Sequence, residues 1–137
     1  MNVFTLPHPT TPDPRAEAGT VPAIVTAGLA RSAALRRAVA TPAPSDALGH
    51  AVRAERLAEI YAREARWWGV LERHIYSPAS TVPLVYGDAV IIARLALRDD
   101  ARFWAETASD WRARAERRPT SDAAGALCNH ADLGVVA

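Results

Sequence analysis

The stretch VIIARLALRDDARFWAETASDW, residues 90–111, decides the fold class. In it Val90, Leu97, Trp104 and Trp111 recur at seven-residue intervals, and four residues after each come Arg94, Ala101, Ala108 and Ala115. Residues three and four apart share one side of a helix, so large and mostly small side chains alternate along a single stripe. No Gly or Pro interrupts it. Asp99 and Asp100 could cap a new helix, but the series passes Leu97 and Trp104 without a phase shift, which predicts one helix over about 83–117.

Outward from that stripe, Ser77 to Thr81 reads as a short connection after a second helix, capped by Ser45 or Asp46 and ending near Tyr76. The second helix carries the stripe His50, Ala54, Leu57, Tyr61, Glu64, Trp68, Leu71 and Ile75, with Ile60, Trp67 and His74 beside it. So wide an apolar face expects more than one packing partner. A helix over 21–40 precedes it, started by Thr20 or Val21 with Pro22 in the first turn, and stopped by Thr41, Pro42 and Pro44. Gly28 and Ser32 lie in the middle of its stripe, leaving room for a bulky neighbour such as a tryptophan. The tripeptide Thr20-Val21-Pro22 returns as Thr81-Val82-Pro83, which reads as a repeated way to start a helix.

The expected fold is therefore all-α: a long antiparallel hairpin, 46–76 against 83–117, with the 21–40 helix laid across it, a three- to four-helix bundle. Pro7, Pro9, Pro12 and Pro14 mark residues 1–19 as an extended or disordered tail. Residues 20–132 form one helical domain, in which Ala123 to about Ala131 can add a short last helix that Gly125 weakens, and 133–137 are loose.

If the hairpin is centred near Ala79, Trp68 meets Val90, Tyr61 meets Leu97, Ala54 meets Trp104 and Ala47 meets Trp111. Glu64 then meets Arg94, and the two charges that interrupt the apolar seams are expected to pair, since a lone buried charge is costly. Glu64 among Tyr61, Trp67, Trp68 and His74 is also the candidate polar pocket, because desolvation favours a protonated carboxyl there. One carboxylate with no second partner at a recognisable spacing is a weak catalytic signal, and no catalytic residue is assigned. His50 is expected near Ala108.

Cys128, His130 and Asp132 resemble ligands in type, but their i,i+2 spacing spreads them around a helix, so no metal and no cofactor is expected. A single cysteine excludes an internal disulfide and fits a reducing, cytoplasmic setting. The longest apolar run, Ala89 to Ala93, is far short of the roughly 20 residues of a membrane span. Residues 1–14 carry no positive charge and hold prolines where a signal peptide has its apolar segment. There is no glycine-rich phosphate loop and no Gly-x-Ser-x-Gly.

All sixteen basic residues are arginine, as in proteins from GC-rich bacterial genomes, and the net charge is only +1. That balance argues against broad nucleic-acid binding, although Arg112, Arg114, Arg117 and Arg118 form a local candidate patch at a helix C-terminus, where cations also suit the helix dipole. The expected function is protein interaction: a small bacterial adaptor or regulator, homodimeric because the hairpin has more apolar width than one short helix covers. A nucleic-acid-associated regulator and a ligand-binding or enzymatic pocket are the alternatives.

Overall fold

The computed structural model describes residues 19–118, which hold three α-helices and no strand. Helix α1 spans Val21–Ala40, α2 spans Ala47–Ile75 and α3 spans Gly87–Ala115, the last preceded by a 3-10 turn at Leu84–Tyr86. The all-helical hairpin with an added N-terminal helix is thus the architecture of the chain. Most of the N-terminal tail, the 123–131 helix, the Cys128, His130 and Asp132 cluster and residues 133–137 lie outside the described residues.

Local chemistry sets the helix starts. Thr20 Oγ1 accepts a hydrogen bond from the Ala23 amide at 3.4 Å, and Asp46 Oδ1 accepts one from the Gly49 amide at 2.6 Å, each satisfying a backbone donor that the first turn leaves free. Helix α3 runs unbroken through Asp99 and Asp100, as its seven-residue series requires.

The third start departs from expectation. Pro83 is extended, with ψ 135°, and heads the 3-10 turn instead of the helix, so the echo of Thr20-Val21-Pro22 does not work as a cap. The helix begins at Gly87, against which the Tyr76 side chain is so closely set that a β-carbon there would lie 2.5 Å from Oη. The connection therefore runs from Tyr76 to Tyr86, and the midpoint between Ile75 and Gly87 is residue 81. Moving the centre by two residues moves every cross-hairpin partner by about one helical turn. His50 accordingly stacks on Trp111, ring centroids 4.4 Å apart, in place of Ala47 on Trp111 or His50 near Ala108.

Helix α1 lies antiparallel along α2 but is slid against it. Its prolyl connection is extended at Thr41, and Ala40 comes level with Arg53, whose Nη2 donates to the Ala40 carbonyl at 3.0 Å. Gly28 thereby reaches Trp67: a β-carbon at Gly28 would overlap the indole, so the ring sits against bare backbone. The small residues of α1 are the room for a tryptophan that the sequence implied. Val25 and Ser32 beside Gly28 are the largest fully buried side chains among the described residues.

Helices α1 and α3 both pack on α2 and meet each other little, so a cleft opens between them over α2.

Candidate functional site

That cleft has a volume of about 520 Å3 and is walled by Leu29 and Ala33 from α1, Trp68 from α2 and Leu97 from α3, with Glu64 and Arg36 among its lining. Glu64 points from α2 toward α1 and is only 4% exposed. Its Oε2 accepts from Arg36 Nη1 at 2.8 Å, while Oε1 is buried with no hydrogen-bond partner. The same Arg36 guanidinium lies 5.3 Å from the centroid of the Tyr61 ring. Burial holds the Glu64 carboxyl above its ordinary pKa; the Arg36 charge and hydrogen bond pull it back down, and the Asp100 carboxylate on α3 adds a smaller upward push.

The expected Glu64–Arg94 pair is corrected by this geometry. Arg94 Nε lies 2.6 Å from Glu72 Oε2 without hydrogen-bond alignment, and the aligned contact is Nη2 to Oε1 at 3.5 Å. The later hairpin centre places Arg94 beside Gly69, one turn from Glu72, and its side chain lines a different cleft, with Ala65, Arg98 and Ala101. Both members of that pair stay partly exposed, so the charges keep much of their hydration.

Of the six residues expected in a polar core or pocket, Arg94 among them, the structure brings together Glu64, Tyr61 and Trp68. Trp67 is spent on Gly28 in the α1–α2 seam. His74 lies ten residues after Glu64, about 15 Å along the helix, half-buried and with Nε2 unpartnered. Sequence reasoning missed Arg36. The signal was present: Arg36 falls four residues after Ser32 and eight after Gly28, on the stripe that had to face α2.

The basic group at the end of α3 is largely committed within the chain. Arg112 pairs with Glu55 of α2, Arg118 Nε lies 2.6 Å from Glu116 Oε2, and the Arg114 guanidinium sits 4.6 Å from the Trp111 ring centroid, opposite the partner His50 provides. Arg117 follows the helix with φ 57°, in the left-handed region that ends many helices.

Among the described residues no group of three His, Cys, Asp or Glu is placed to hold a metal ion, and no helix is long and apolar enough to cross a membrane. No protein-family model matches the chain, and neither a curated protein nor a solved structure resembles it significantly.

Proposed function

We propose that this chain is a protein-interaction module, a small bacterial adaptor or regulator of the cytoplasm that self-associates through the outer face of α3. The carrying observation is a stripe there of Ile92, Leu95 and Phe103, which are 67%, 46% and 58% exposed. Ile92 and Phe103 are eleven residues apart, three turns of helix, so they stand on one line roughly 16 Å long with Leu95 beside it. Large apolar side chains aligned along an outer helix face are costly in water and are the ordinary makings of an interface. The all-arginine basic complement supports a bacterial source, and the lone cysteine supports a reducing compartment.

Nucleic-acid binding draws less support, because three of the four arginines of the candidate patch already have partners in the chain. Sedimentation equilibrium over a wide concentration range tests the interaction reading. Reversible dimers are expected for the natural chain and monomers for Phe103→Glu; a natural chain that is monomeric at every concentration overturns it.

A further inference from the structure

The open groove along the hairpin seam, where Arg94 lies, gathers charge of one sign. Five arginines line it, Arg66 and Arg73 from α2 and Arg94, Arg98 and Arg102 from α3, and no acidic residue does. Arg94 and Arg102 meet Glu72 and Asp99, which stand outside the lining. Arg66, Arg73 and Arg98 are exposed and have neither a hydrogen bond nor an ion pair among the described residues. In a chain whose net charge is only +1, this is a strong local excess, and the mutual repulsion of the guanidinium groups works against the folded state. An anion laid among them removes that repulsion.

The shape of the groove says which anion fits. Its floor is Ala65, Gly69 and Ala101, side chains too small to fill it, which leaves a volume of about 610 Å3. Both walls close in at Gly69, where the position a β-carbon would take lies 3.5 Å from Arg94 Cδ and 3.8 Å from Arg73 Nη1. From there the arginines run on along both helices, from Arg73 back to Arg66 and from Arg94 to Arg102, a row about 10–12 Å long. A single small anion meets only one part of such a row, whereas an elongated one meets all of it. No aromatic side chain lines the groove, so nothing there stacks a base, as sites for single-stranded nucleic acid do. The planar fork of arginine suits phosphate oxygens, which it can hold in pairs.

We propose that this groove binds a linear polyphosphate, a thin chain with a charge on every unit, held between Arg66 and Arg73 on one side and Arg94, Arg98 and Arg102 on the other. An acidic peptide carries backbone and side-chain bulk between its charges and fits the row less well. None of Ile92, Leu95 and Phe103 lines the groove, so the proposal does not rest on self-association.

The test is isothermal titration calorimetry of the full chain with inorganic tripolyphosphate at low ionic strength, with orthophosphate as the short counterpart. Saturable binding is expected with a Kd on the order of 0.1 mM or tighter, and orthophosphate should bind at least about tenfold more weakly. Arg66→Gln, Arg73→Gln and Arg98→Gln should each weaken tripolyphosphate binding about threefold. Because these side chains are exposed and unpaired, the three variants should unfold no earlier than the natural chain in the absence of ligand. Arg31→Gln removes the same charge from an exposed position on α1 outside the groove and should leave binding unchanged. Absence of saturable binding, equal affinity for orthophosphate, or an equal loss in Arg31→Gln and in the groove variants each overturns the site. Tighter binding of oligoglutamate or of a short single strand of DNA than of tripolyphosphate overturns the choice of ligand.

Discussion

The two seams of this molecule differ in a way their lengths would not suggest. The hairpin seam joins two helices of 29 residues each, yet the largest fully buried side chains among the described residues, Val25 and Ser32, belong to the 20-residue helix α1. The difference lies in how near the backbones come. At Gly28 helix α1 has no side chain, and the Trp67 ring lies directly on it, so the surroundings are dry and a charge caught there, on Glu64, is buried. Along the hairpin, Gly69 has only ordinary contacts beyond it, and the charged pairs Glu72–Arg94 and Glu55–Arg112 remain at the rim, partly in water. A short helix with small residues in its stripe thus gives a tighter contact than a long one whose stripe alternates large and small.

Replacing each glycine by alanine should break this contrast most visibly. Gly28→Ala should cost about 2 kcal/mol in urea unfolding, because the added methyl overlaps the Trp67 indole, even after the gain in helix propensity. Equal tolerance at the two glycines would mean that the α1 seam yields as easily as the hairpin.

A smaller effect is expected from removing the cation of the buried pair. Arg36→Ala should destabilise by about 1–2 kcal/mol near neutral pH, below the usual figure for a buried pair because Arg36 is itself partly hydrated. The sign with pH follows from Glu64, whose carboxyl is raised in the folded chain above its ordinary 4.5 by burial and lowered again by Arg36. Ionised Glu64 therefore costs folding free energy above the folded pKa, and that cost fades as pH falls through the folded value toward the unfolded one. Without Arg36 the folded pKa rises further, so the penalty of Arg36→Ala should shrink toward about pH 4. A penalty unchanged between neutral and acid pH would show that Glu64 is not the group Arg36 serves.

Smallest is the change on the hairpin side. Gly69→Ala has Arg94 Cδ 3.5 Å away as its nearest neighbour, an ordinary contact, so it should leave stability unchanged or raise it by up to about 1 kcal/mol through helix propensity. A loss there comparable to that at Gly28 would erase the distinction between the seams.

What could be read from the chain alone follows from which signals are local. The bounds of α1 and the start of α2 are written in Thr20, Pro22, Pro42, Pro44 and Asp46, each acting within a turn of its own position. The continuity of α3 through Asp99 and Asp100 is likewise a matter of periodicity, and Gly28 with Ser32 announced a large ring across the seam. The candidate site was legible only in part. Glu64, Tyr61 and Trp68 were found because they share a helix face, but their partner Arg36 depends on how far α1 slides along α2, a distance set by the extended connection at Thr41 and by Arg53 holding the Ala40 carbonyl. Register across the hairpin failed for a similar reason: the start of α3 is set by Tyr76 lying against Gly87, a contact eleven residues apart in the chain that no helix-start rule contains.

The most direct measurement is a pair of double-mutant cycles on unfolding free energy at neutral pH, one for Glu64→Gln with Arg36→Gln and one for Glu64→Gln with Arg94→Gln. The first should show a coupling of at least about 1 kcal/mol, and the second should be additive within about 0.5 kcal/mol. Coupling of Glu64 to Arg94 with additivity toward Arg36 would contradict the assignment of the buried charge to the α1 seam, and with it the cleft built around Glu64.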